Sequence, residues 1–166
     1  RKKILYIRKK KNNKNIKLSF SKIFKEIKKK ISPKKIVGGY YPVNFEIDIL
    51  EILENLEKKI GIQLSLPVIK KNNEMDFYSW STKNLLKLNK YGIPEPEKTK
   101  KVFPDIIFVP VVAFDNRLYR IGYGGGYYDR YIHKISNKKK LLKIGIAHSC
   151  QKINKVPTNK YDKKLD

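Results

Sequence analysis

An α/β fold on a mainly parallel sheet is what this sequence predicts, and three observations predict it. Short apolar runs bounded by Gly, Pro or Asn alternate along the chain with segments of helical period, the order that gives parallel strands joined by helices. Two of those runs, Asp105–Val109 and Leu141–Ala147, are apolar with little alternation, as strands covered on both faces should be. Four of the nine glycines fall between Gly122 and Gly126, between the first of these runs and an aromatic helical pattern.

In chain order, Arg1–Lys11 places Ile4, Leu5 and Ile7 among basic side chains and reads as a short amphipathic helix, followed by a break at Asn12–Asn15. Ser19 is the N-cap candidate for a second helix with Phe20, Ile23, Phe24, Ile27 and Ile31 on one stripe, closed by Pro33. Ile36–Tyr41 reads as a strand stopped by Pro42. A helix follows from about Ile47 to Ile60, burying Ile49, Leu53, Leu56 and Ile60, with a Glu54–Lys58 pair one turn apart and Gly61 as its stop. Ile62–Lys70 reads as a strand interrupted at Pro67, and Asn72–Asn73 as the turn into a returning strand over Glu74–Ser81. Leu85, Leu86 and Leu88 suggest a short helix. Gly92-Ile93-Pro94-Glu95-Pro96 is rigid punctuation that excludes helix and central strand alike. Beyond the glycines, Tyr127, Tyr128, Tyr131, Ile132 and Ile135 form a helical stripe, and Val156-Pro157 opens an irregular tail. There is no internal repeat and no interdomain linker, so a single domain over residues 1–166 is expected.

The net charge of +24 raises nucleic acid or an anionic surface as partners. Only five of the 39 basic residues are arginine (Arg1, Arg8, Arg117, Arg120 and Arg130), although arginine is favoured for bidentate phosphate and base contacts. Lys, Asn, Ile and Tyr are abundant together, as an AT-biased genome produces. The lysines run through every segment, and aromatics are not interleaved with them as a stacking surface for single strands requires. A basic nucleic-acid-binding protein is therefore the competing reading and the disfavoured one. The single cysteine, Cys150, excludes an intrachain disulfide or a cysteine-built zinc site and reads as a small core residue. No apolar run approaches the ~20 residues of a membrane span, and no signal-peptide pattern opens the chain. A cytoplasmic monomer without membrane contact is expected.

Glycine lets a backbone approach a ligand closely, and a glycine loop that opens a helix aims free N–H groups at an anion. Gly122–Tyr127 is not the dinucleotide fingerprint: Tyr127 occupies the third glycine position, and no acidic residue follows about twenty positions on. It is not a P-loop either, because no Lys-Ser or Lys-Thr follows. Arg120 stands at the lip of the loop, and Gly122, Gly124, Gly125 and Gly126 can turn N–H groups onto a polyphosphate. Asp129, in the first turn of the next helix, is placed to hold magnesium together with phosphate oxygens. A tight turn would also account for the glycines, and pairing with the helix dipole for Asp129. The residues alone leave both alternatives open.

Ala113-Phe114-Asp115 followed by Arg120-Ile121-Gly122-Tyr123-Gly124-Gly125-Gly126-Tyr127-Tyr128-Asp129-Arg130 resembles the signature of the 5-formyltetrahydrofolate cyclo-ligase family. Tyr40-Tyr41-Pro42, Glu46-Ile47-Asp48, Phe77, Trp80, Gly92–Pro96, Val156-Pro157, Asp162 and Leu165-Asp166 match in order, so the resemblance spans nearly the whole chain. It implies a three-layer α/β/α sandwich, Rossmann-like and NagB/RpiA-like. It also implies an ATP- and Mg2+-dependent ligase that converts 5-formyltetrahydrofolate to 5,10-methenyltetrahydrofolate. On the matching positions, Arg1, Arg120, Ile121, Gly122, Tyr123, Gly124, Gly125, Gly126, Tyr127 and Tyr128 would bind ATP. Tyr41, Glu46, Tyr123, Gly124, Gly125, Gly126 and Tyr127 would contact the folate, and Asp129 and Asp162 would hold magnesium.

The plainer alternatives are strand-end packing for Tyr41 and a helix N-terminal carboxylate for Glu46. Trp80 reads as core, His133 as a surface or packing residue on the helix face of Asp129, and His148 carries no role. Three departures from the family pattern bear on this. Leu118 stands where a glycine is usual in the turn before Arg120. Arg1-x-x-x-Leu5-x-x-Arg8 resembles the family's opening helix, whose preceding lysine would fall before Arg1. The last short strand would fall after Asp166, so both ends read as trimmed. A member with altered or lost activity is a further alternative, against which Arg120, Asp129, Asp162 and the glycines all speak.

Overall fold

The computed structural model describes residues 1–11, 20–27 and 30–166. In chain order it forms α1 (Lys2–Lys11), α2 (Phe20–Ile27), β1 (Ile36–Gly38), α3 (Leu50–Ile60), β2 (Gln63–Ile69), β3 (Met75–Trp80), β4 (Lys87–Leu88), β5 (Pro94–Glu95), β6 (Lys101–Val102), β7 (Ile106–Pro110), β8 (Ala113–Phe114), β9 (Arg120–Ile121), α4 (Tyr127–Ser136) and β10 (Leu142–Ile146). The expected break at Asn12–Asn15 and the Ser19 cap lie outside the described residues.

Six strands make one sheet in the order β10-β7-β1-β2-β3-β6. β10, β7, β1 and β2 run parallel, while β3 and β6 run antiparallel to their neighbours. Side chains of β7 alternate between two cores. Ile106 and Phe108 pack with Val37, Leu64, Leu66 and Trp80 against Ile52, Leu53 and Leu56 of α3 and Ile27 of α2. Ile107 and Val109 pack with Phe77 and Val102 against Tyr131, Ile132 and Ile135 of α4. Helices thus cover both sheet faces, which is why β7 carries no polar alternation. Each fully buried Leu or Ile here is worth about 1.5–3 kcal/mol. The faces are packed closely enough that a Cβ on Gly38 would lie 2.6 Å from the Phe77 ring.

α3 ends as its sequence predicts, with Gly61 at φ 70° and its N–H returned to Glu57 and Leu56 carbonyls, and Glu54 pairs with Lys58. The turn before β3 also follows the sequence, with Asn72 and Asn73 both left-handed at φ 59° and 57°.

Four expectations need correction. β2 is continuous through Pro67, which pairs with Phe77 of β3. The proline is tolerated because β1 ends opposite Ser65, so no partner strand on that side asks for its missing N–H. The helix expected at Leu85–Leu88 is a two-strand hairpin, β4 with β5. Asn84 Oδ1 accepts from Ser81 N at 2.8 Å, and Asn89 Oδ1 accepts from Tyr91 N at 2.9 Å and Ile93 N at 3.1 Å. These local bonds compete with a helix, and Leu85 is 91 % exposed. β10 is a half-buried edge strand rather than a buried one, its free edge covered by the Asp166 N to Lys143 O and Lys143 N to Asp166 Oδ2 bonds at 3.0 and 2.9 Å. Cys150 is half-buried in a short 3-10 turn, not a core residue.

Candidate active site

β1 has β2 on one side and β7 on the other. The chain leaves β1 by way of α3 towards β2, and leaves β7 by way of α4 towards β10. Their C-terminal ends therefore flank a topological switch point, where open α/β sheets bind ligands. Two segments emerge there. Residues 39–46 follow β1, and residues 111–126 follow β7. Every folate- or ATP-side residue expected from the sequence except Arg1 and the helix residues Tyr127 and Tyr128 lies on these two segments.

The first segment ends in a strained turn. Asn44 and Phe45 have φ of 50° and 62°. Asn tolerates this region, whereas Phe does so at a cost of order 1 kcal/mol. The turn presents Glu46, whose Oε2 accepts from Val43 N at 2.9 Å and whose Oε1 accepts from the Tyr123 hydroxyl at 2.8 Å. The same hydroxyl accepts a bond from Arg8 Nη2, so Tyr123 bridges a cation and an anion. Burial raises the Glu46 carboxyl above its ordinary range, against the bonds from Val43 and Tyr123. Tyr123 is pushed up to about 12 by burial and by the Glu46 charge, which keeps it a donor at neutral pH. Tyr40 buttresses the segment through its hydroxyl, donated to Ile47 O at 2.8 Å. Tyr41 is half-buried, and its hydroxyl has no hydrogen-bond partner among the described residues.

The glycine loop lies between β9 and α4. Arg1 reaches over it and donates from Nε to Gly122 O at 2.9 Å. Gly124 and Gly126 have φ of 108° and 66°, conformations that favour glycine. A Cβ on Gly125 would meet the Tyr127 ring at 2.5 Å. Turn geometry and packing thus account for three of the four glycines. They do not account for Gly122, which has ordinary φ and nothing within 4 Å of the place a Cβ would take. The loop is braced from below by Arg130, which donates to Asn73 O from Nε and Nη2 at 3.0 and 2.6 Å, and by Tyr127, whose hydroxyl meets Asn73 Oδ1 at 3.2 Å and Tyr91 Oη at 3.1 Å. Tyr128 is half-buried on α4, and burial followed by the Glu46 charge raises its hydroxyl above the ordinary tyrosine range.

Arg120 is buried, and its Nη1 donates to Asp129 Oδ1 at 3.0 Å and to Lys163 O at 3.1 Å, while Lys163 N donates to the same Asp129 oxygen at 3.0 Å. These bonds hold the backbone of Lys163, the residue after Asp162, against Asp129. Asp162 Oδ2 caps the turn by accepting from Asn159 N at 2.7 Å. Each carboxylate retains one oxygen without a hydrogen bond from the described residues. Two carboxylates of this kind fit a hard cation. Among the described residues no three His, Cys, Asp or Glu side chains gather around a point, so a cation here would complete its shell with other oxygen donors.

The turn before Arg120 accommodates Leu118 at φ 67°, with its N–H on Asp115 O and its carbonyl on Leu165 N, both at 3.0 Å. Asp115 holds the turn from inside. Burial disfavours its charge, yet bonds from Val156 N, the Arg117 guanidinium, Tyr119 N and Arg117 N outweigh it and keep the carboxyl at about 2.

Sequence reasoning gave no role to Arg8 or to Asp115. For Arg8 a signal existed: it lies four residues after Ile4 and three after Leu5, on the helix's apolar stripe, where an arginine is out of place. Asp115 was quoted within the signature, but its five bonds depend on residues up to 41 positions away. His133 is exposed and Trp80 lies in the core, as read.

Over residues 1–166 the chain matches the model of the 5-formyltetrahydrofolate cyclo-ligase family. The chain belongs to that family. A 5-formyltetrahydrofolate cyclo-ligase of Haemophilus influenzae is 31 % identical over 136 residues, 77 % of this chain and 71 % of the relative. The solved 5,10-methenyltetrahydrofolate synthetase of Aquifex aeolicus superposes with a TM-score of 0.69 at 31 % identity, covering 98 % of this chain and 87 % of that one. The synthetase from Mycoplasma pneumoniae gives 0.66 at 25 % identity, covering 98 % and 95 %. This cyclo-ligase family member is accordingly an enzyme, a ligase of folate one-carbon chemistry.

Proposed function

We propose that the chain carries out ATP- and magnesium-dependent cyclisation of 5-formyltetrahydrofolate to 5,10-methenyltetrahydrofolate, with release of ADP and phosphate. The observation that carries this reading is the pairing, in one switch-point crevice, of an Arg1-capped glycine loop with an unexplained open glycine and the hydrogen-bonded Glu46–Tyr123 pair.

In this reading the triphosphate lies on the N–H groups of Gly122, Gly124, Gly125 and Gly126, with Arg1, Arg120, Ile121, Tyr123, Tyr127 and Tyr128 around it. The folate ring lies against Tyr41, Glu46 and the Tyr123–Tyr127 side of the loop, the Glu46 carboxylate accepting N–H groups of the pterin. Asp129 and Asp162 would hold magnesium, which would supply positive charge to the triphosphate. The formyl oxygen attacks the γ-phosphorus, a P–O bond forms to it and the bond to the β-phosphate oxygen breaks, so ADP leaves. N10 then attacks the phosphorylated formyl carbon, loses its proton to solvent, and the C–O bond breaks to release phosphate. The chain's part is alignment and charge: Arg1 and Arg120 offset the charge that builds on the transferring phosphoryl group, and Glu46 with Tyr123 fixes the ring so that the formyl oxygen faces it.

The same reading extends to the fold, where two cores on either side of one sheet support a Rossmann-like three-layer α/β/α sandwich, and to a monomeric, cytoplasmic enzyme. The test is ATP-dependent growth of methenyltetrahydrofolate absorbance in the near ultraviolet. No growth with ATP and magnesium present would reject the proposal.

A further inference from the structure

Arg8 is 1 % exposed and forms no ion pair among the described residues. Its Nε has no hydrogen-bond partner among them either. A buried guanidinium whose nearest anion, Glu46, is reached only through the Tyr123 hydroxyl is costly, and stability alone does not explain its place on an apolar stripe. What it does instead is join three segments. Nη1 donates to Val111 O at 3.2 Å, just after β7; Nη2 donates to Asn44 O at 2.6 Å, in the strained turn before Glu46; and Nη2 also donates to the Tyr123 hydroxyl in the glycine loop. The guanidinium also lies 5.8 Å from the centroid of the Tyr123 ring.

None of these acceptors needs Arg8 for its own satisfaction. Val111 O also accepts from the Gln151 amide, Asn44 is exposed to water, and the Tyr123 hydroxyl still has Glu46. Removing Arg8 would therefore orphan no acceptor, but would leave the turn and the loop tied only through the Tyr123–Glu46 bond.

We propose that Arg8 is a positioning residue: it holds the Asn44–Glu46 turn and the Tyr123 side of the glycine loop in register, and so fixes Glu46 for the folate ring. This rests on the folate reading above. Arg8 acts through Asn44 and Tyr123 and does not itself touch the reacting atoms. Its effect falls on the folate half of the crevice, because the loop carbonyl of Gly122 is held by Arg1 instead.

The test compares Arg8→Met and Arg8→Lys with wild type in steady-state assays for both substrates, in thermal unfolding, and in calorimetric titration with 5-formyltetrahydrofolate alone. Arg8→Met should unfold at or above the wild-type temperature, since a buried unpaired charge is exchanged for an apolar side chain. Its KM and Kd for 5-formyltetrahydrofolate should rise about tenfold or more while KM for ATP stays within about threefold. Arg8→Lys, which keeps the charge but cannot fork to two acceptors, should recover only part of the loss. Tyr123→Phe in the Arg8→Met background should add less than it does in wild type, because one link has already been cut. The pH dependence of folate binding supplies a further readout. Arg8, Tyr40, Tyr123, Tyr128 and Val43 N face Glu46, and loss of the cation should move the acid limb upwards. An unchanged folate KM would overturn the inference, and so would KM values for ATP and folate rising together with a lowered unfolding temperature. A wild-type protein that neither binds 5-formyltetrahydrofolate nor forms methenyl product would instead reject the folate reading, and this inference with it.

Discussion

Gly122→Ala separates what the fold needs from what a ligand needs. A methyl at this position would have nothing within 4 Å, and the backbone has no positive φ to lose. Its effect on folding should therefore be small, between zero and a gain of about 0.4–1 kcal/mol from the stiffer unfolded chain. For a chain of this size that is a rise in unfolding temperature of about 1–4 °C at most. If the phosphates of ATP approach this N–H, the methyl sits in their path, and a penalty of about 1.4 kcal/mol or more raises KM for ATP at least tenfold. Gly124→Ala is the contrast. Its φ of 108° penalises any side chain by about 1–3 kcal/mol, although its nearest neighbours, atoms of Arg1, are 3.5 Å away or more. Differential scanning calorimetry and initial rates at varied ATP would read both variants. Gly122→Ala with unchanged KM for ATP would refute the reasoning, as would a Gly122→Ala protein destabilised as much as Gly124→Ala.

Three further outcomes are expected. The Glu46 carboxyl is raised by burial, so the proton-bound form is favoured in the fold, and the stability this lends is lost as pH rises through the raised value. Folate binding needs the carboxylate and should do the opposite, weakening as pH falls through that value, above the ordinary carboxylate range; Glu46→Gln should flatten this limb, as Kd measured across pH would record. Asp76 is fully buried on β3 beneath Lys70, Lys101 and Lys134, at 2.6, 2.8 and 3.5 Å. Burial disfavours its charge, but the Lys101 and Lys70 bonds win and lower its carboxyl. The resulting stability is present above the unfolded carboxylate range and lost as pH falls through the folded value. Asp76→Asn should cost about 2–3 kcal/mol in urea unfolding at neutral pH, less than a fully sealed pair because the lysines can turn to water. Leu118→Gly relieves a left-handed leucine and should add about 0.5–1 kcal/mol without altering either KM; a destabilised variant would mean that the turn relies on the leucine side chain instead.

The parts of the fold that were legible in the sequence were those whose cause is local. Gly61 stops α3, Asn72–Asn73 turns the chain into β3, and the unbroken apolar run at Ile106–Val109 marks a strand covered on both faces. Leu141–Ala147 carried the same signature but belongs to an edge, because half-burial on both faces also selects apolar residues and only the sheet order separates the two cases. Leu85–Leu88 misled because apolar spacing was read without the Asn84 and Asn89 side chains that capture the backbone first. At the site, the glycine loop, Arg120 and Asp129 stood out because they form a compact motif, and the structure joins Arg120 to Asp129 by a 3.0 Å bond. Arg8 was marked only by its place on an apolar stripe, and the sequence could not name its partners, carbonyls up to 103 positions away that only the fold assembles. Nor could the sequence say that three of the four clustered glycines answer to backbone and packing, leaving Gly122 as the one that points to a ligand.

In the proposed reaction ATP phosphorylates the formyl oxygen before N10 closes the ring. Turnover of 5-formyltetrahydrofolate labelled with heavy oxygen in the formyl group, followed by mass spectrometry of the released phosphate, tests it most directly. One labelled oxygen is expected in each phosphate, with one ADP for each methenyltetrahydrofolate formed. Unlabelled phosphate alongside full product formation would contradict it.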